Sequence, residues 1–362
     1  MLRNYFLFLW HIFKINFASK SPYKLNFVIT KACNSRCQNC NIWQVRPENE
    51  LTLEEIRTIA KSYRNNIRWL ELTGGEPTLR RDLDKIVRIF YKENRHLLFV
   101  HFPTNGLLPS QIESQVRKIK LVGSFKLIVT VSLDGPEEIN DVVRGVPGNF
   151  KKSIETYNRL KRIKNVDVYF GMTLFKSNYQ FLDKTYIDLK KEIPLLKRDD
   201  LHFNIGQTSQ HYYENSQEQE DISPNMKMYR NIKKFKRSSF TMPTPFNVID
   251  KIYRLLSFDF LQTGKTPIPC HSLKDSIYLS EKGFVYPCSM WNFPIGNIRD
   301  YNYNLKNILN LSKTKKALEL IEKGKCSHCW TPCEAYQSII GNFTGVLKVA
   351  IFKKWQNFCR SR

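Results

Sequence analysis

Cys33, Cys37 and Cys40 stand in a Cys-x3-Cys-x2-Cys run, a spacing at which one short loop wraps three thiolates around a single inorganic cluster. Three thiolates leave one iron of a [4Fe–4S] cube without a protein ligand, and an iron with an open position is a site for chemistry. Structural zinc usually takes four protein ligands, and no fourth cysteine or histidine lies near this run. Downstream, Leu72-Thr73-Gly74-Gly75-Glu76-Pro77 joins two glycines, which let a backbone approach a ligand that any Cβ excludes, to a carboxylate able to accept from an ammonium. Further on come Ser132-Leu133-Asp134-Gly135-Pro136 and Asn140-Asp141-Val142-Val143-Arg144. The guanidinium fork of Arg144 suits a planar carboxylate, because two parallel hydrogen bonds fix its orientation. Asp134-Gly135 is equally a common turn pair, and Thr104-Asn105-Gly106 reads as a turn that sets position rather than chemistry.

A second group of cysteines lies far along the chain. Cys270-x12-Gly283-x4-Cys288 brackets a hairpin signal at Ser280–Gly283, and Cys326-x2-Cys329-x3-Cys333 follows, with Cys359 close to the end. Thiolates from the two flanks of a hairpin can converge while Gly283 makes the turn. Cysteines in this style hold either an iron–sulfur cluster or tetrahedral zinc.

The elements that position these residues follow from periodicity. Short apolar runs at Leu25–Thr30, Trp69–Thr73, Leu97–Pro103, Phe125–Ser132, Val166–Leu174 and Leu201–Gly206 alternate with helical patterns at Leu53–Tyr63, Leu83–Asn94, Ser110–Ile119, Phe150–Ile163 and Tyr179–Glu192. Six βα units are too few for a closed eight-stranded barrel, so an open α/β fold, a partial (β/α)6 TIM-like barrel, is expected. The cysteine run and both downstream segments then fall at strand ends, where a barrel carries its functional loops. The organisation reads as a basic apolar segment at 1–22, the barrel at 23–206, a polar linker or excursion at 207–247, and a cysteine-rich domain at 248–362 with a helix at Ser312–Glu322.

In this order and at successive strand ends, the cysteine loop, Gly74-Gly75-Glu76, and the stretch from Ser132 to Arg144 resemble the radical S-adenosylmethionine (SAM) superfamily. The resemblance implies a [4Fe–4S] cluster on Cys33, Cys37 and Cys40. It places the SAM amino group on Gly74, Gly75 and Glu76, the ribose or carboxylate near Ser132, and the methionine carboxylate on Arg144, with Asp134 in the same set. A one-electron donor would then drive cleavage of SAM to methionine and a 5′-deoxyadenosyl radical that takes hydrogen from a substrate in the barrel mouth. The residue before the third cysteine, often aromatic in this family, is Asn39 here, so either Trp43 substitutes or the backbone holds the adenine. The second cysteine group resembles the opening of a SPASM or shorter Twitch domain, whose full pattern has seven cysteines against six here. That implies one auxiliary [4Fe–4S] cluster drawn from Cys270, Cys288, Cys326, Cys329 and Cys333, with Cys359 a distant ligand or a buried thiol. Peptide modification, common among SPASM enzymes, stands beside lipid or saccharide modification as the substrate class. His211, Tyr212 and Tyr213, after the sixth strand, are either substrate-facing or surface aromatics.

Composition bounds the partners. The formal charge of +24 attracts anions of any kind, whether nucleic acid, membrane or phosphorylated substrate, and does not choose among them. A non-catalytic iron–sulfur or zinc protein that binds nucleic acid is the competing class, and the SAM-binding segments argue against it. Nine clustered cysteines read as metal ligands in a cytoplasmic chain, not as a disulfide framework. Both chain ends carry apolar stripes among basic residues: Phe6, Leu9, Trp10 and Phe13 with Arg3, Lys14, Lys20 and Lys24, then Leu347, Ile351, Trp355 and Phe358 with Lys353, Lys354 and Arg360. Such stripes suit docking on an anionic membrane surface and equally suit inward packing.

Overall fold

The computed structural model describes residues 21–215, 225–235, 245–343 and 345–346. The barrel is built from β1 (Lys24–Thr30), α1 (Leu53–Ser62), β2 (Trp69–Gly74), α2 (Leu83–Glu93), β3 (Phe99–Thr104), α3 (Pro109–Lys120), β4 (Lys126–Ser132), α4 (Glu137–Arg144), α5 (Asn149–Lys161), β5 (Val166–Leu174), α6 (Leu182–Glu192) and β6 (Leu201–Ile205). Each strand from β1 to β6 pairs parallel with the next, giving the expected partial (β/α)6 barrel. Helices dock through apolar stripes: α2 buries Leu83, Ile86, Val87, Ile89 and Phe90 at helical spacing. α1 starts on a capping box between Thr52 and Glu55.

Several elements escape the periodicity reading. Helix α4 buries only Asn140 and Val143, too few apolar residues to leave a stripe. It is set by Pro136 before it, Glu137 and Glu138 in its first turn, and Gly145 at φ 64° after it. Between 207 and 247, α7 (Met226–Lys234) forms on a short amphipathic stretch, and α8 (Pro245–Thr263) follows.

The remaining elements are β7 (Ser276–Leu279), β8 (Phe284–Tyr286), β9 (Gly296–Asn297), α9 (Leu305–Leu309), α10 (Ser312–Glu322) and α11 (Pro332–Gly341). β7 and β8 form the expected hairpin, with Gly283 at φ 86° in its turn. β7 also pairs parallel with β1, Lys24 opposite Ser276 and Phe27 opposite Leu279, so nine strands make one sheet in the order β6-β5-β4-β3-β2-β1-β7-β8-β9. The cysteine-rich part therefore extends the barrel sheet at its β1 edge. Glu55 of α1 accepts from Arg299 Nε at 2.7 Å and from the Tyr303 hydroxyl at 3.0 Å, and Tyr253 of α8 stacks on Trp330 at 5.6 Å. One apolar core runs through both parts.

No helix among the described residues is long and apolar enough to cross a membrane. The two terminal stripes lie outside the described residues, apart from Lys24, which is the wholly buried first residue of β1 and is no surface cation.

Candidate active site

A cavity of about 270 Å³ opens inside the barrel. Alternate strand residues face it, among them Glu71 and Thr73 of β2, His101 of β3, Thr130 and Ser132 of β4, and Thr173 of β5, because side chains on a strand point inward every second position. Cys33, Cys37 and Cys40 line it from the loop after β1, and Tyr212, Tyr213 and Cys333 close another wall.

The cysteine loop is seated by backbone contacts. Gly75 N donates to Thr30 O at 2.8 Å and Glu76 N to Ala32 O at 2.7 Å. A Cβ on Gly74, whose φ is 145°, would stand 2.1 Å from Thr30 O, and one on Gly75 2.2 Å from Ala32 O. The paired glycines thus bring the end of β2 against the loop itself. On the other side, Arg36 N donates to Arg144 O at 3.1 Å and Gln38 N to Val143 O at 2.9 Å. A Cβ on Gly145 would meet Arg36 O at 2.1 Å. The end of α4 is therefore a clamp on the cysteine loop, a role that the sequence alone does not reveal.

Glu76 is buried, and three neighbours donate to its carboxylate: Thr78 Oγ1 at 2.5 Å and Thr104 Oγ1 at 2.9 Å to Oε1, and Asn105 N at 2.6 Å to Oε2. Burial pushes this carboxyl up, while those donors oppose the shift. Thr104-Asn105-Gly106 thus positions Glu76, as its reading as a turn implies. Asp134 does more than turn the chain: it accepts from Arg144 Nη1 at 3.1 Å and from Thr173 N at 2.8 Å. Arg144 is held against the cavity with its Nε buried and without a partner, which marks the place of an acceptor on a ligand. Ser132 lines the same wall, as do Asn39 and Trp43.

Burial pushes the Cys33 thiol up to about 11 and Cys40 up to about 12, with Cys37 also raised; for all three the Arg144 charge opposes the shift. Bound iron reverses that balance, since a coordinating thiol is deprotonated. Among the described residues no three His, Cys, Asp or Glu side chains converge on one metal ion. Three thiols lining one cavity fit a cube, which can leave one iron without a protein ligand, better than structural zinc, which usually takes four protein ligands.

Cys270, Cys326 and Cys329 lie within electrostatic range of one another, Cys288 lies within range of Cys270 and Cys329, and Glu334 stands beside Cys270, Cys288 and Cys329. Burial raises all four thiols, Cys270 to about 12. Cys333 has Glu71, Lys24 and Glu334 among its charged neighbours, the last shared with Cys270, Cys288 and Cys329, and it also lines the barrel cavity. Cys359 lies outside the described residues. His211 turns away from the cavity, stacking on Tyr286 at 4.1 Å with Nε2 2.9 Å from Cys288 O, whereas Tyr212 and Tyr213 face it.

The same cavity is lined by a polar network that sequence reasoning missed. His101 Nδ1 is 2.5 Å from Glu71 Oε1 and its Nε2 is 2.9 Å from Thr130 Oγ1; Trp69 Nε1 donates to Glu71 Oε2 at 3.1 Å. The Lys24 ammonium sits 3.9 Å from Glu71 Oε2. Burial alone would raise the Glu71 carboxyl, but His101 and Lys24 hold it below the usual range. The signal in the sequence is a polar residue at every second position of strands otherwise apolar, which marks an inner face that lines a chamber.

Comparison with known proteins agrees with this arrangement. The radical SAM superfamily pattern matches residues 27–186, and the iron–sulfur cluster-binding domain named SPASM matches 270–330. The mycofactocin maturase MftC of Mycolicibacterium smegmatis is 30% identical over 167 residues, which is 45% of this chain and 41% of that protein. The chain thus aligns with under half the length of that relative. The AdoMet-dependent heme synthase of Oleidesulfovibrio alaskensis is 24% identical over 83% of this chain and 78% of its own. Among solved structures, native anSMEcpe with bound AdoMet and the Cp18Cys peptide superposes with a TM-score of 0.58 at 19% identity, covering 91% of this chain and 99% of that one, a likeness of fold. The chain therefore contains a radical SAM domain over residues 27–186, whose strand-end motifs gather on one cavity, and an iron–sulfur cluster-binding domain of the SPASM kind over residues 270–330.

Proposed function

We propose that this protein reductively cleaves SAM and uses the resulting radical to modify a peptide. The observation that carries the reading is the single cavity shared by Cys33, Cys37, Cys40, Glu76, Ser132 and Arg144, which continues past them to the Glu71–His101 network. When bound, a [4Fe–4S] cluster on the three cysteines supplies the electron that splits SAM into methionine and a 5′-deoxyadenosyl radical. The chain's own residues do the rest. Glu76 and the free Nε of Arg144 offer an acceptor and a donor to the amino and carboxylate groups of the methionine moiety, and Asp134 keeps Arg144 aimed. The barrel wall excludes water from a reactive intermediate. Glu71 and His101 hold the polar groups of the substrate at the far end.

Cys270, Cys288, Cys326 and Cys329 fit one auxiliary cluster, and a low-potential one-electron donor completes the system. A peptide substrate is favoured by the maturase among the relatives and by the peptide bound in the structural neighbour. A short precursor peptide encoded beside this gene would select it over a lipid or saccharide. The test is anaerobic reconstitution with iron and sulfide, then SAM and dithionite. Wild type should form 5′-deoxyadenosine, and the Cys33→Ala/Cys37→Ala/Cys40→Ala variant should form none; formation by the triple variant would overturn the reading.

A further inference from the structure

Lys24 opens β1 with a wholly buried side chain, a cation inside an apolar core, and a buried charge of that kind is kept only among partners. Its partners face two ways. On the chamber side, its ammonium lies 3.9 Å from Glu71 Oε2 and 4.6 Å from the centre of the Trp69 ring. On the side of the cysteine-rich part, it donates to Cys333 O at 2.8 Å and to Gln337 Oε1 at 3.3 Å. Gln337 Nε2 in turn donates to Glu334 Oε2 at 2.7 Å. The other oxygen of Glu334 accepts from Ser289 N at 3.1 Å, from Ser289 Oγ at 3.2 Å and from Asn26 Nδ2 of β1 at 3.4 Å. Ser289 follows Cys288 in the chain, and the charge of Glu334 reaches Cys270, Cys288 and Cys329. Hydrogen bonds and one ion pair therefore make a buried polar path from His101 and Glu71 in the chamber, through Lys24, Gln337 and Glu334, to the auxiliary thiols. Lys24 is the cation in the middle of it, and its field acts on both carboxylates.

Two buried carboxylates, one facing the substrate chamber and one facing a cluster site, thus share one ammonium. We propose that Lys24 couples the reduction potential of the auxiliary cluster to the charge at Glu71 in the chamber. The inference rests on the assignment above of one auxiliary cluster to Cys270, Cys288, Cys326 and Cys329. Reduction adds one electron, and hence one negative charge, to that cluster. A nearby cation favours the reduced form and a nearby anion opposes it, more strongly in a buried setting than in water. While Glu71 is charged, it holds Lys24 toward the chamber and offsets its field. When the charge of Glu71 is cancelled, the ammonium is left to Cys333 O, Gln337 and Glu334, the reduced cluster is favoured and the potential rises. A substrate group of positive charge beside Glu71 acts in the same sense. Occupation of the chamber and reduction of the cluster then favour one another, and by linkage the effect is reciprocal. No group has to change its protonation.

The test uses the Cys33→Ala/Cys37→Ala/Cys40→Ala protein, which after anaerobic reconstitution with iron and sulfide carries the auxiliary cluster alone, about four irons per chain. At fixed pH, samples are poised with dithionite and redox mediators, and the reduced cluster is measured by electron paramagnetic resonance. Glu71→Gln, added to this parent, should raise the potential, so that reduced cluster exceeds oxidised several-fold at the parent's midpoint. Lys24→Met should lower it, and Glu71→Gln added to Lys24→Met should produce a much smaller rise than in the parent. An unchanged or lowered potential in Glu71→Gln would overturn the inference, whether or not Lys24→Met holds a cluster. An equal rise in the Lys24→Met background would overturn it as well, because Glu71 would then act on the cluster without Lys24. A parent protein that binds no iron would overturn the auxiliary-cluster reading, and this inference with it.

Discussion

Replacing Gly145 by alanine should empty the SAM-site cluster, whereas the same change at Gly148 should not. Both glycines are left-handed, at φ 64° and 76°, so each alanine costs about 1–2 kcal/mol in backbone strain. They differ in what a methyl group meets: nothing lies within 4 Å at Gly148, while Arg36 O lies at 2.1 Å from the new Cβ at Gly145. Ordinary contact begins at 3.4 Å, so that carbonyl must retreat by more than an ångström. The retreat parts Arg36 N from Arg144 O and Gln38 N from Val143 O, two hydrogen bonds each worth about 1 kcal/mol. The total for Gly145→Ala is roughly 3–4 kcal/mol, concentrated on the loop that carries Cys33, Cys37 and Cys40. Calorimetry of the reconstituted proteins should show Gly148→Ala melting a few degrees below wild type and Gly145→Ala lower by about twice as much. Iron analysis should give about eight irons per chain for Gly148→Ala and about four for Gly145→Ala, the auxiliary cluster alone. A Gly145→Ala protein with a full iron complement would refute the clamp.

Other predictions rest on buried charge. Lys24→Met leaves the buried Glu71 carboxylate facing a methionine and should destabilise the fold by about 3–5 kcal/mol in urea unfolding, with Glu71→Gln added to it restoring part of the loss; an effect under about 1 kcal/mol would count against the pair. Glu55, held down to about 2 chiefly by Arg299, joins α1 to the cysteine-rich part. Its stabilisation is complete above its unfolded value of 4.5 and disappears as pH falls through about 2. The shift sets an upper bound of about 3 kcal/mol, and because Arg299 is nearly one-third exposed, roughly 1–2 kcal/mol is expected. The stability difference between wild type and Arg299→Ala should be widest above pH 4.5 and should narrow toward pH 2, and a difference independent of pH would refute the assignment.

The strand and helix pattern of the barrel was legible because parallel strands covered on both sides are apolar and their helices amphipathic; Val166–Leu174 and Ser312–Glu322 coincide with elements read from periodicity alone. The cysteine loop and the strand-end motifs were legible because their residue types are rare in such company. Three things were hidden. The clamp at Gly145 depends on a meeting with Arg36, 109 positions earlier in the chain, and local pattern carries no trace of that. The Glu71–His101 network is spread over four strands, Lys24 of β1, Glu71 of β2, His101 of β3 and Thr130 of β4. The place of Cys333 on the cavity wall depends on the packing of α11 against β1, where Lys24 donates to its carbonyl at 2.8 Å across 309 positions of chain.

The pairing of β7 with β1 sets a schedule for synthesis. β1 is buried along its whole length and has strands on both sides, yet its second neighbour is encoded almost 250 residues downstream. At a translation rate of about 5–20 residues per second, one flank of the first strand waits roughly 12–50 seconds on the ribosome for its partner. Throughout that interval a row of apolar residues, Leu25, Phe27 and Ile29 among them, borders unpaired backbone, the arrangement most prone to pair with a stray chain. The barrel of this protein is therefore finished only after the cysteine-rich hairpin has emerged, and a nascent chain stalled before Ser276 is a natural client for chaperones.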